Sequence, residues 1–381
     1  MSKNVISDVL FEVADAIERG EFAKKLRIGL TTLGSEHGEE NLMNGARLAK
    51  SGLFDIVLIG DKRESDEFEV VEVADEEEMH AKMAELLDSG FIDACVTMHH
   101  NFPIGVSTVG RVITPGRGRE MIIATTTGTS ATNRIEAMVR NAIAGIATAK
   151  SIGIEKPSVG ILNVDGSRQV EKILKELQSN GYEIDFAESV RADGGCVMRG
   201  NDLIVGAPDI MVTDTLTGNL LMKVFSSFNT GGDYEAQGFG YGPGVGEAYD
   251  RKILIVSRAS GAPVIANALK YAYEVSVGGV SERARTEFAN AKSAKLDELI
   301  SNVVNKESKP AEEVVAPNRE VVTAQINGID VMELEDAVQV LWKNGTYAES
   351  GMGCAGPIIL VNEDKYDSAK ETLIKSGYTA N

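Results

Sequence analysis

The apolar-rich runs Leu26–Leu33, Phe54–Gly60 and Phe91–Met98 constrain the fold of this chain more than any other feature. Each is short enough for a strand. Each is separated from the next by a stretch that reads as helix, at about 39–51 and from Asp75 to near Gly90. A run buried on both faces marks a strand inside a parallel sheet, and strand, loop and helix recurring at this pace predict βαβ units. The pattern goes on through Met121–Thr125, an Ala-rich helix to about Ile152, Ser158–Val164, a helix over 168–180, Glu183–Glu188, Pro208–Val212 and Ile253–Val256. The expected class is α/β, parallel-rich sheets flanked by helices. Ahead of it, Val5, Ile6, Val9, Leu10, Val13 and Ile17 predict an amphipathic helix over 4–20.

A chain of 381 residues calls for two or three domains. The spacing predicts a first α/β lobe over 1–125 and a second over 126–280, with a compositional break at Gly153–Pro157. One long charged helix is expected over 281–305, and a Pro- and Glu-rich linker over 306–320. A small C-terminal unit, 321–381, is expected to carry helices at 333–342 and 364–377 around a strand at 357–362, and to pack on the first lobe. The net charge of −19 repels nucleic acid and anionic membrane, so neither is an expected partner. Three widely spaced cysteines make no disulfide framework and fit the reducing cytoplasm. The first residues show no signal-type apolar core, no run reaches membrane-spanning length, and the four histidines show no zinc spacing, so no metal is expected.

Candidate chemistry gathers where strands give way to loops, because ligands of open parallel sheets sit beyond the carboxyl ends of strands. His99 and His100 follow one strand and read as an acid/base pair or as loop histidines bonded to the backbone. Thr125–Arg134, including Thr129, and Asp214–Lys223, including Thr217, Gly218 and Asn219, are strand-to-helix junctions. Helix N-terminal amides at such junctions accept phosphates and carboxylates. Gly231–Gly246 is a glycine-rich loop of ligand-hugging composition, and Arg111, Arg117 and Arg119 form a docking loop or a solvated turn. Cys95, in mid-strand, reads as core. Cys196, between glycines and a valine, rivals Cys354, which sits in Gly351-Met352-Gly353-Cys354-Ala355-Gly356-Pro357. Amides of such a turn favour a thiolate nucleophile, while a tight turn with a small buried residue explains the same letters.

The run Pro157–Lys270 resembles the phosphate acyltransferases that act on acyl carrier protein and the related phosphate acetyltransferases. The likeness rests on Lys156–Asn163, on the D-x-x-V-x-D-x-x-x-G-N pattern of Asp209–Asn219 with Lys223 on the following helix, and on the pair Ser257-Arg258. It implies an isocitrate-dehydrogenase-like two-lobed fold and an acyl phosphate held by Ser257 and Arg258. In the acetyltransferases an aspartate seven residues after the serine deprotonates the thiol of CoA; here that position is Val264. The whole chain, linker and Cys354 tail included, resembles the component C alpha subunits of glycine/sarcosine/betaine reductases. That resemblance implies Cys354 as catalytic acyl carrier, phosphate as substrate, and no covalently bound cofactor. It implies an oxidoreductase component that forms acetyl phosphate after cleavage of a carboxymethyl group. The implied partners are a ketoacyl-synthase-like beta subunit and the selenoprotein component A, in a hetero-oligomer.

Three readings follow. The chain holds an acetyl group on Cys354 and releases it to phosphate, with Lys223 and Arg258 neutralising charge and His99 or His100 as base. Alternatively it is a phosphate acyltransferase using CoA or acyl carrier protein, or a non-catalytic interaction subunit.

Overall fold

A computed structural model describes residues 25–61, 66–192, 194–307, 314–329, 333–353 and 356–378. The expected helix over 4–20 and Cys354 lie outside them, as does the centre of the linker. In chain order the first half runs β1 (Leu26–Thr31), α1 (Gly38–Ala49), β2 (Phe54–Gly60), β3 (Glu69–Glu72), α2 (Glu76–Asp88), β4 (Ala94–Thr97), β5 (Val106–Ile113), β6 (Glu120–Thr129) and α3 (Arg134–Ser151). There follow β7 (Ser158–Leu162), α4 (Ser167–Ser179), β8 (Asp185–Phe186), β9 (Val197–Met198), α5 (Gly200–Val205), β10 (Ile210–Val212), α6 (Thr215–Ser227), β11 (Gly242–Val245), β12 (Ile253–Ile255), α7 (Ala262–Val277), α8 (Val280–Ser293) and α9 (Leu296–Glu307). The C-terminal unit holds β13 (Ala324–Asn327), α10 (Leu334–Lys343), β14 (Ala348–Gly353), β15 (Gly356–Val361) and α11 (Tyr366–Lys375).

The expected α/β class is what the chain folds into. Strands run β3-β2-β1-β4-β12-β11-β5-β6-β10-β7-β8, with β9 on β7. Both flanks are parallel, as the apolar runs require, with β1 on β2 and β4, β12 on β4, and β10 on β6 and β7. Between them lies an antiparallel seam, where β11 pairs with β12 and β5, and β5 with β6. Helices cover both faces. Leu30, Ile143, Leu254, Ile265 and Leu269 fill one core, and Met83, Ile123, Met211, Phe225 and Ile255 the other.

The chain returns to its first half late. β12 pairs with β4, and α7 lies against α1 so closely that a Cβ on Gly45 would sit 2.6 Å from Ile265. The 125/126 boundary read from the sequence falls inside β6, and residues 253–277, read as second lobe, complete the first. The single helix expected over 281–305 is two helices, α8 and α9. Lys295, at φ 71°, breaks them and turns Leu296 into the core.

The C-terminal unit has a sheet of its own, β13-β15-β14, and a core of its own built on Ile326, Leu341, Ile359, Val361 and Leu373. β14 and β15 pair antiparallel down to Gly353 and Gly356. Cys354 and Ala355 stand between those glycines in the sequence.

Candidate active site

At the carboxyl ends of β4, β12 and β6, where the two halves of the sheet meet, a cleft of about 580 Å³ opens. Four elements bring their side chains to it. β4 delivers Met98, His99 and His100; β12 delivers Val256, Ser257 and Arg258; β6 delivers Thr127 and Gly128; α6 delivers Asn219 and Lys223. Of the residues expected from the sequence, His99, His100, Asn219, Lys223, Ser257 and Arg258 therefore share one cavity. Thr217, Gly218 and Thr129 do not line it.

Those three have other places. Asp214 caps α6 by accepting from the Thr217 amide at 3.1 Å and the Thr217 hydroxyl at 2.7 Å. Burial works to raise the Asp214 pKa, but bonds from Thr217 and Arg134 outweigh it and hold the carboxyl below its usual range. Gly218 lets α6 seat on β6, since a Cβ there would overlap the Thr125 carbonyl oxygen. One residue on, Asn219 Nδ2 donates to the Thr126 carbonyl at 3.1 Å. Thr129 ends β6, paired with Val106, and α3 starts five residues later behind Asn133, whose side chain accepts from the Glu136 amide.

The floor of the cleft is a hydrogen-bonded network. Lys223 Nζ donates to Ser257 Oγ at 3.0 Å and to Glu235 at 3.2 Å. Glu235 is 2% exposed and also accepts from Tyr241 and Ser260. On the rim, Arg258 pairs with Glu76 at 3.1 Å, and Glu36 stands nearby. The cleft thus presents a lysine, an arginine, a hydroxyl and an amide, a set that suits a phosphate-sized anion.

The two histidines differ. His99 is exposed, with the His80 ring 6.1 Å away. His100 packs edge-on to Phe102 at 4.7 Å and lies 3.4 Å from the Tyr249 hydroxyl. Burial, with His80, Arg251 and His99 adding to it, pushes its pKa down to about 4, so the ring is neutral near pH 7.

The described thiols are held protonated. Cys95 is fully buried in β4, and burial drives its pKa far above the usual thiol range. Burial and then the Glu171 carboxylate push Cys196 up to about 12. Neither has the depressed pKa of a reactive cysteine. Two of the three arginines of the basic stretch are spent on structure, while Arg117 is exposed. Arg111 bonds Glu274 and Glu120 and lies over the Phe239 ring at 4.1 Å, and Arg119 bonds Asp209 and the Gly206 carbonyl.

Thr127 and Gly128 lie in the Thr125–Arg134 junction, and Glu235 and Tyr241 in the Gly231–Gly246 loop, but none of the four was singled out from the sequence. Glu235 is, with Asp233, one of two acidic residues of the glycine-rich loop, whereas the acetyltransferase pattern places its acid seven residues after Ser257. That position, Val264, is buried in α7.

A family profile described as "Fatty acid synthesis protein" matches residues 26–360. The glycine/sarcosine/betaine reductase complex component C subunit alpha of Peptoclostridium acidaminophilum is 62% identical over 383 residues, 99% of each chain. The chain belongs to the component C alpha family. A wider kinship is visible beside it. The phosphate acyltransferase of Geobacillus sp. (strain WCH70) is 26% identical over 244 residues, 52% of this chain and 70% of that one. Among solved structures, a branched-chain phosphotransacylase from Enterococcus faecalis V583 aligns with a TM-score of 0.47 at 16% identity, over 66% of this chain and 99% of that one. Both resemblances drawn from the sequence are thus borne out, and the relatives tie the chain to an enzyme-type role. No helix among the described residues is long and apolar enough to cross a membrane.

Proposed function

We propose that the chain is the acetyl-phosphate-forming subunit of a glycine, sarcosine or betaine reductase complex in the cytoplasm. An acetyl group, derived from the carboxymethyl group carried by the selenoprotein component A, sits on Cys354 as a thioester. Phosphate then takes it. A phosphate oxygen attacks the thioester carbonyl, the tetrahedral intermediate collapses, the Cys354 thiolate leaves, and acetyl phosphate departs. A thioester divides acetyl transfer into two easier steps. Phosphate needs positioning and charge neutralisation, the task of Lys223, Arg258, Ser257 and Asn219. A beta subunit resembling ketoacyl synthases is the expected partner, and the C-terminal unit must bring Cys354 to the cleft.

The observation that carries this reading is the convergence of Asn219, Lys223, Ser257 and Arg258 in one cleft. The test is mass spectrometry after incubation with acetyl phosphate, together with exchange of inorganic phosphate into acetyl phosphate. The wild-type chain acquires one acetyl group on Cys354 and none on Cys95 or Cys196, and Cys354→Ala loses both label and exchange. Exchange by Cys354→Ala at the wild-type rate removes the thioester role.

The phosphate acyltransferase relatives favour a second reading, direct acyl transfer between phosphate and CoA or acyl carrier protein. Val264 counts against it, because an external thiol finds no base at that position. Robust acetyl transfer to CoA by the isolated chain would displace the first reading.

A further inference from the structure

The carboxylate of Glu235 is nearly closed to solvent at the bottom of a cleft built for anions, in a chain where most acids lie on the surface. A buried charge survives only when paired and fully hydrogen-bonded. Both oxygens are occupied. Oε1 accepts from Lys223 Nζ at 3.2 Å and from the Tyr241 hydroxyl at 3.0 Å, and Oε2 accepts from Ser260 Oγ at 2.8 Å. The network then closes on Ser257. The Ser257 amide donates to Ser260 Oγ at 3.0 Å, while Ser257 Oγ accepts from Lys223 at 3.0 Å and from the Ala259 amide at 3.2 Å. The backbone adds two stitches, Glu235 N to the Ala259 carbonyl at 3.1 Å and Gly261 N to the Glu235 carbonyl at 2.8 Å.

An ammonium has three N–H donors. Among the described residues, Glu235 and Ser257 take two of them. The Lys223 side chain is 53% exposed and lines the cavity, which leaves a third donor for the cavity. With three donors already on it and no access to solvent, Glu235 is not placed to take a proton from substrate.

We propose that Glu235 is a positioning residue that fixes the Lys223 ammonium and the Ser257 turn so that one remaining Lys223 donor and Ser257 meet a phosphate oxygen. The proposal rests on the phosphate reading above. It assigns to the glycine-rich loop the carboxylate that the stretch after Ser257 lacks, and gives that carboxylate a different task. It orders the anion site and leaves the thiol alone.

Two measurements test it. Inorganic phosphate is titrated calorimetrically into the full chain and into Glu235→Gln, Lys223→Ala and the double variant. Glu235→Gln weakens phosphate roughly tenfold, the scale of one charge-assisted bond. It weakens it little or not at all once Lys223 is alanine, because the carboxylate acts through the ammonium. Glu235→Asp keeps the charge, retracts it by one methylene, and falls between wild type and Glu235→Gln. Wild-type affinity in Glu235→Gln, or equal losses with and without Lys223, overturns the proposal. Should Glu235→Gln fail to fold, wild-type affinity in Glu235→Asp does so.

The second measurement needs no phosphate. Limiting acetic anhydride labels Lys223 several-fold faster in Glu235→Gln, or in Glu235→Asp if only that folds, than in wild type, while other lysines label as before. Unchanged Lys223 labelling overturns the positioning role. Absence of phosphate binding by the wild-type chain, with Lys223 labelling raised as expected, would sink the phosphate reading and leave the Glu235–Lys223 coupling standing.

Discussion

On the floor of the cleft Lys223 meets a carboxylate that is 2% exposed; on the rim Arg258 meets Glu76 with both side chains 47% exposed. The two pairs have like distances, 3.2 and 3.1 Å. Their surroundings give them different work. The floor pair is locked into the Ser257–Ser260 turn, so its donors are in place before a ligand arrives and little ordering remains to oppose binding. The rim pair is screened by water, and Arg258 can exchange Glu76 for an anion at small cost.

Breaking the floor therefore has the largest effect. Lys223→Ala leaves a buried carboxylate with two donors where it had three, and should cost about 1–3 kcal/mol of stability, the penalty of an incompletely satisfied buried group. Phosphate binding weakens with it but stays measurable through Arg258, Ser257 and Asn219. Arg258→Ala should weaken phosphate while leaving stability within about 0.5 kcal/mol, as surface changes do. Chemical denaturation of the two variants compares them, and equal destabilisation would erase the distinction between floor and rim.

Gly218→Ala attacks the floor from behind. The added Cβ would overlap the Thr125 carbonyl, a backbone atom of β6 with nowhere to retreat. Overpacking of this kind costs about 1–3 kcal/mol. As α6 lifts it carries Asn219 and Lys223 away from the cleft, so phosphate affinity and melting temperature should fall together. Unaltered affinity in a folded Gly218→Ala protein would separate the seat of α6 from the site.

The histidines divide by burial too. The folded-state pKa of His100, about 4, lies below the ordinary 6.5. Between those values the unfolded chain takes up a proton that the folded chain does not, so stability is lost as pH falls from about 6.5 toward 4. His80, also lowered by burial, tilts the same way. His100→Asn should flatten the fall in melting temperature between about pH 7 and pH 5, by on the order of 1 kcal/mol because solvent reaches part of the ring. An unchanged slope would assign the acid sensitivity elsewhere.

What was readable in the letters follows the same division. β1, β2 and β12 stand out because strands buried on both faces must be apolar throughout. Asn219 was legible because strand ends and helix starts are where such sheets hold ligands, and Lys223, Ser257 and Arg258 through the resemblance to the phosphate acyltransferases and acetyltransferases. The seam was not. β5 buries Ser107 and Thr108, whose hydroxyls bond Asn141, Thr126 and Thr127. β11 is Gly-Pro-Gly-Val, a strand only because β5 and β12 pair with it. Glu235 was hidden for the same reason. It reaches Ser257 through a loop whose path depends on that seam, and no local spacing records it. The break at Lys295 follows the need to bury Leu296, which the charged pattern around it does not announce.

The smallest expected effect belongs to the rim. In the structure Glu76 holds the Arg258 guanidinium, and a Cβ on Gly34 would sit 3.0 Å from the Glu76 carboxylate and 3.3 Å from Arg258. An anion entering the cleft must draw Arg258 away from that carboxylate. Glu76→Gln removes the competitor and keeps the shape. An exposed pair is worth about 0.2–1 kcal/mol, so phosphate should bind roughly 1.5- to 5-fold more tightly, while the free protein loses no more than about that same 0.2–1 kcal/mol of stability. Higher salt should shrink the gain, because it already screens the wild-type pair. Weaker binding in Glu76→Gln would mean that Glu76 orients Arg258 toward the ligand, which would make the rim an ordered part of the site like the floor.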